Sequence, residues 1–247
     1  MSASPVQHHL QPDDVLMFIH IFKTAGTALT HLVEQQFAEH EIYARRGAHI
    51  LRATPDELKP YRYVTGHYPY SAQRLLPRKP VMMTILREPV ARALSFYGYT
   101  RLQTDPNPIH DIARATTLDA FVRHPLVERD IANMMTWFLA AEIEDYLARD
   151  RMLTADDLQI ARTRLQEMAF VGLTEHFAES VWLLHHTFGW SHDVEIKRIN
   201  ATPNPVKRDD VSQATIDHII ALNQLDIELY ALAEEIFWRR FGHVDES

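Results

Sequence analysis

The sequence predicts an α/β protein of three layers, a central parallel sheet between helices, with a helix-rich C-terminal half. Three observations carry this expectation. Short, nearly continuous apolar runs recur at VLMFIHI (15–21) and VMMTIL (81–86). Such runs mark strands covered on both faces. Segments of helical periodicity follow them, and strand alternating with helix implies parallel strands joined by crossovers. Finally, 247 residues suffice for one core, or one core with a helical lobe. The chain therefore reads as a single domain over 1–247, with 1–13 a loose polar lead-in.

The elements follow in order. Strand 15–21 turns into a helix over 27–39, whose Leu29, Leu32, Val33 and Phe37 fall at helical spacing. EIYA (41–44) suggests a short second strand. ATPDELKP (53–60) reads as a helical turn capped by Thr54 or Asp56 and ended by Pro60. YRYVTGH (61–67) is strand-like and stops at Gly66. Strand 81–86 runs into a helix over 87–101 with Pro89 in its first turn. Helical periodicity then occupies 117–124, 127–141 and 155–168. FVGLTEHF (170–177) gives another strand and a turn, and 179–190 an amphipathic helix with Gly189 near its end. VEIKRIN (194–200) is expected to be the last strand and TPNPVKRDD (202–210) a loop. Residues 212–241 read as a long terminal helix with room for one break.

Composition narrows the function classes. The net charge is -8, which argues against a general nucleic-acid binder. With no cysteine, a disulfide scaffold, a thiolate nucleophile and a Cys-ligated zinc are excluded. The first residues, MSASPVQHHLQPDD, show no apolar leader, and no run of about 18 apolar residues is present to span a bilayer. The expectation is a soluble, cytoplasmic protein.

Two strand ends carry chemistry. In FIHIFKTAGTAL (18–29), a strand turns directly into a helix, leaving free N–H groups at the positive end of the helix dipole. Gly26 lets the backbone approach a ligand, Lys23 adds a charge, and Thr24 and Thr27 add hydroxyls. The result is a phosphate cradle, unless the lysine is simply solvated. It is not a Walker A loop, because Lys23 precedes the glycine and no acidic residue stands in an obvious Mg²⁺-holding position. TILREPVARALSFY (84–97) repeats the arrangement, with Arg87 at a strand end and Ser95 eight residues on, about two helical turns. Arg87 suits a multidentate grip on a phosphate dianion, or else pairs with Glu88 or Asp105. Two such sites at strand ends of one parallel sheet fit a nucleotide carrying phosphates at two places.

These residues resemble the sulfotransferases. FIHIFKTAGTAL resembles their 5′-phosphosulfate loop and TILREPVARALSFY their 3′-phosphate motif. The closest likeness is to the carbohydrate branch that includes heparan/uronosyl 2-O-sulfotransferases. Weaker echoes follow at VTGHYPY (64–70), NMMTWFL (133–139), FVGLTEHFAESVWLL (170–184), RINATP (198–203) and LNQLDIELYALAEEIFWRRF (222–241). The resemblance implies a P-loop-like three-layer fold. The donor it implies is 3′-phosphoadenosine 5′-phosphosulfate (PAPS), with the 3′,5′-bisphosphate PAP as product and no metal. The acceptor would be a hydroxyl or amine of a carbohydrate, lipid-linked or small molecule. Lys23, Thr24, Ala25, Gly26, Thr27 and Ala28 would line the 5′ side. Arg87 and Ser95 would hold the 3′-phosphate, and the loop from Thr202 to Arg208 would close over the nucleotide. The chain departs from the family pattern at Phe22, where Pro is usual, at Ala28, where Ser often follows, and at Glu88, which replaces a frequent Asp.

Sulfuryl transfer needs an in-line acceptor, a partner for the charge on the leaving oxygen and a proton acceptor. Lys23 suits the second role. His67, in TGHYPY, resembles the catalytic histidine of the 2-O branch; capping a turn or binding the acceptor are its other readings. His20, inside the strand, reads as a core residue, and His185 and His186 as structural or solvated. Arg92 reads as helix surface or as one half of an ion pair. Asn133 and Trp137, one turn apart, face either an acceptor cleft or the packing of a lobe. A small-molecule kinase and a non-catalytic nucleotide-binding protein are the alternative functions.

Overall fold

A computed structural model describes residues 8–43, 48–148, 151–191 and 205–245. Five parallel strands form its sheet: β1 (Leu16–Ile19), β2 (Ile42–Tyr43), β3 (Tyr63–Gly66), β4 (Val81–Leu86) and β5 (Phe170–Leu173). Their order is β2-β3-β1-β4-β5. Leu16 is in register with Tyr63 on one side and Val81 on the other, and Leu86 with Leu173. β1, β3 and β5 are buried throughout, as their continuous apolarity requires. Because β1 is central, the carboxyl ends of β3, β1 and β4 open side by side.

Helices α1 (Gly26–Glu34), α2 (Pro55–Leu58) and α3 (Pro89–Thr100) fill the N-terminal half. α4 (Pro108–Ala115), α5 (Leu118–Val122), α6 (Pro125–Ile131), α7 (Met134–Ala140), α8 (Ile143–Ala148) and α9 (Ala155–Glu167) follow. The C-terminal part holds α10 (Phe177–Phe188), α11 (Gln213–Leu222) and α12 (Gln224–Asp245). One apolar core packs the sheet against α7, α9, α10 and α12. A second joins α3 to α5, α6 and α11 through Val90, Leu94, Phe121, Ile131 and Ile219. α3 thus lies between the second core and the crevice at the strand ends. Among the described residues no helix is long and apolar enough to cross a membrane.

Several expectations are corrected. The helix expected over 127–141 is broken into α6 and α7 at Asn133, whose backbone is left-handed at φ 45°. Its side-chain oxygen accepts from the Leu225 and Asp226 N–H groups at 3.0 and 3.1 Å. Asp226 in return accepts from the N–H groups of Met135 and Thr136, at 2.9 and 2.7 Å, and from the Thr136 hydroxyl at 2.8 Å. Each residue caps the other's helix, so the Asn133 side-chain oxygen is taken up in capping. Trp137 lies in the main core, 7% exposed.

The terminal helix does break once, at Asn223. Arg92 is not on the surface. It is fully buried, and its guanidinium donates to the Asp130 carbonyl at 3.4 Å and to the Ile131 carbonyl. The lead-in is partly anchored, the His8 N–H donating to the Thr187 carbonyl at 2.7 Å. His185 is buried with Nδ1 on the Ser191 carbonyl. α4 and α8 were not anticipated. The strand expected at 194–200 lies outside the described residues.

Candidate active site

The turn after β1 is built by backbone strain. Lys23 and Ala25 both sit in the left-handed region, at φ 66° and 61°, each costing about 1–2 kcal/mol for a residue with a Cβ. The Thr24 hydroxyl, fully buried, donates to the Ile21 carbonyl at 3.0 Å and ties the turn. It does not line the cavity, so the expected Thr24 donor to a phosphate is corrected to a turn-closing bond. Ala25 precedes α1 with no side-chain cap. The first N–H groups of α1 therefore remain available to an anion. Gly26 is required for a reason the sequence did not show. A Cβ there would fall 2.1 Å from His20 Cδ2.

Arg87 follows β4 and reaches back across the crevice. Its Nη1 donates to the Lys23 carbonyl at 3.2 Å, holding the strained turn. Its acidic neighbour is Glu175, 3.9 Å from Nε, rather than Glu88 or Asp105. Glu175 is itself fixed by the Tyr230 hydroxyl at 2.7 Å and the Glu88 N–H at 3.2 Å. Asp105 pairs with His110, and Glu88 caps α3 by accepting from the Ala91 N–H at 2.6 Å. Burial lowers the Arg87 pKa against the opposing pull of Glu175. Ser95 lines the same wall two turns along α3. The Lys23 ammonium stands 3.9 Å over the Tyr99 ring. Burial, and secondarily Arg87, push its pKa down to about 8.

His67 follows β3. Its Nδ1 lies 2.6 Å from the His20 carbonyl oxygen. A carbonyl only accepts, so Nδ1 carries the proton and Nε2 keeps the lone pair. Phe22 stacks on the imidazole at 3.9 Å between centroids, and the Tyr146 hydroxyl donates to the His67 carbonyl at 2.8 Å. Burial, first, and the nearby Lys23 lower its pKa, while the bond to His20 opposes them.

These groups meet in one cavity of about 520 Å³ at the carboxyl ends of β1, β3 and β4. Lys23, Ala25, Gly26, Thr27, Ala28, Arg87, Ser95 and His67 all line it. Of the closing loop, Pro205, Val206 and Arg208 line it, and Thr202–Asn204 lie outside the described residues. Sequence reasoning missed Tyr99, and it placed His20 in the core. His20 instead borders the cavity, its ring stacked on Phe18 and 4.4 Å from that of His67. His20 lies just beyond the last residue of β1, where the alternation of the strand no longer holds. Tyr99 carries a signal in its spacing, four residues after Ser95 on a helix.

A sequence model of the galactose-3-O-sulfotransferase family matches residues 48–246. Heparan-sulfate 6-O-sulfotransferase 2 of Danio rerio is 26% identical over 289 residues, covering 96% of this chain and 60% of its own. Galactose-3-O-sulfotransferase 3 of Bos taurus is 28% identical over 247 residues, covering 90% and 56%. The chain thus spans somewhat over half the length of these relatives. The crystal structure of mouse sulfotransferase SULT7A1 complexed with PAP superposes with a TM-score of 0.39 at 16% identity, over 85% of this chain and 80% of that one. That superposition is too distant to carry weight. The family match, which spans most of the sequence, is not: the chain belongs to the galactose-3-O-sulfotransferase family.

Proposed function

We propose that the protein transfers the sulfuryl group of PAPS to a hydroxyl of a carbohydrate. The observation that carries this is the convergence of Lys23, Arg87, Ser95 and His67 in one cavity. The first N–H groups of α1 and the Lys23 ammonium suit the 5′-phosphosulfate. Arg87 and Ser95, on the far wall, suit the 3′-phosphate. Val90 and Leu94 add their few exposed atoms to this wall, most of each side chain being packed in the second core. The matched relatives' names, heparan-sulfate 6-O- and galactose-3-O-sulfotransferase, supply the carbohydrate acceptor.

In the transfer, the acceptor oxygen forms a bond to sulfur as the bond from sulfur to the 5′-phosphate oxygen breaks. The acceptor proton passes to His67 Nε2, whose tautomer is set by the His20 carbonyl. Lys23 stabilises the negative charge left on the departing phosphate oxygen. Arg87 does two things at once, since the guanidinium facing the 3′-phosphate also braces the Lys23 turn.

Calorimetric titration with PAP, 5′-AMP and Mg²⁺-ATP tests the donor. Binding that depends on the 3′-phosphate is expected, and Arg87→Ala should weaken it by about 2–5 kcal/mol. Equal affinity for PAP and 5′-AMP would remove Arg87 and Ser95 from the site. Preference for Mg²⁺-ATP would favour a kinase. PAP binding without turnover on any galactoside or heparan acceptor would favour a non-catalytic nucleotide-binding protein.

A further inference from the structure

We infer that Tyr99 is a positioning residue for Lys23, its ring holding the lysine ammonium at the donor end of the cavity. The inference rests on the sulfotransferase reading for what the ammonium acts upon, but not for how it is held. Arg87, just ahead of the cap of α3, and Ala91, Ser95 and Tyr99 on the helix recur every four residues, and all line the cavity. The four form one line, from the end of β4 along one face of α3. The first and third members face the expected 3′-phosphate. The last reaches the other phosphate site, where the Lys23 Nζ lies 3.9 Å above the centre of its ring.

The Lys23 backbone is already fixed, by its left-handed φ of 66° and by the Arg87 bond to its carbonyl. What remains free is the four-carbon stem. Glu88, the carboxylate lining the cavity among the described residues, is engaged in capping α3 and lies 3.8 Å from Arg208. Around it stand the Arg87 guanidinium beyond β4, the His67 imidazole beyond β3, Glu88 at the start of α3 and Arg208 on the facing loop. Arg87 repels the ammonium, and burial strips water from it. The negative face of an aromatic ring is the attractive surface it meets. Tyr99 is 42% exposed, so the core does not require this ring, whereas the lysine does. The ring thus keeps the cation charged and directed at the turn, where the bridging oxygen of a phosphosulfate would develop its charge.

The test follows Lys23 directly, by ¹³C NMR of the protein with its lysines dimethylated, the Lys23 signal being assigned by its loss in Lys23→Met. In Tyr99→Leu the Lys23 pKa should fall by about one pH unit, because burial and Arg87 stay while the ring is lost. In Tyr99→Phe, which keeps the π face, it should stay where it is. The alkaline limb of kcat/KM should move with it in Tyr99→Leu. An unchanged Lys23 titration in Tyr99→Leu overturns the inference, as does a fall of the same size in Tyr99→Phe. PAP titration of the unmethylated wild type and variants separates the two readings. Failure of the wild type to bind PAP overturns the donor assignment, and the Lys23 titration still decides the role of Tyr99.

Discussion

His67 and Lys23 are both pushed toward their neutral forms by burial, yet the proposed reaction needs one neutral and the other charged. The His67 pKa lies below its ordinary 6.5, so its Nε2 stays basic through neutral pH. The Lys23 pKa is about 8, so the ammonium is lost as pH rises through that value. The profile of kcat/KM, which reports the free enzyme, should therefore be a bell with its acid limb below 6.5 and its alkaline limb near 8. An alkaline limb near 10.5, the value of an unperturbed lysine, would show that burial and Arg87 do not lower the Lys23 pKa. His67→Ala should lower kcat by roughly a hundredfold or more while leaving PAP affinity nearly intact, measured by turnover and calorimetry. A loss of PAP affinity with kcat unchanged would make His67 a binding residue instead. Gly26→Ala is the steric counterpart. Its methyl would meet the His20 ring at 2.1 Å, and forcing that contact should cost about 1–3 kcal/mol of stability in urea denaturation. That Lys23, Arg87, Ser95 and His67 line one cavity was legible in the sequence because each sits in a contiguous motif at or just after a strand end. His20 and Thr24 were not, because their roles depend on which way a side chain leaves an irregular turn.

The helices show the same division between local and distant causes. Periodicity placed α3, α9 and α10 because each presents an unbroken apolar face. It could not place the break at Asn133, whose cause lies about ninety residues away in Asn223, Leu225 and Asp226. α4 did carry a local signal, Asn107 capping at 2.9 Å ahead of Pro108, which the proline-rich context masked. The two-way cap makes a prediction at this scale. Asp226 is fully buried, caps α7 through three hydrogen bonds and attracts the buried Arg92 of α3. Asp226→Ala leaves those donors without their acceptor and takes from that cation the larger of its carboxylate attractions. It should destabilise the protein by about 3–5 kcal/mol, read from the shift in urea midpoint. A change below about 1 kcal/mol would show that water replaces the carboxylate and that α7 needs no cap.

At the scale of the whole molecule, strand alternation made the parallel three-layer fold legible, but not the strand order, which depends on pairings distant in sequence. That order is what makes a site. Placing β1 between β3 and β4 brings three separate strand ends into one crevice, and with them His67, Lys23 and Arg87. α3 closes the crevice with one face while packing its other face into the second core. A nucleotide that engages both the β1 turn and α3 therefore bridges the sheet to the second core, and its binding energy should appear as global stability. At a hundred times its dissociation constant, PAP should add about 2.7 kcal/mol, raising Tm by roughly 5–10 °C for a chain of this size. 5′-AMP at the same concentration should give a much smaller rise, because it lacks the phosphate that reaches Arg87. Arg87→Ala should erase the difference between the two nucleotides in the same melt. If the variant kept the full difference, the 3′-phosphate would be held elsewhere, and α3 would serve only to wall the cavity.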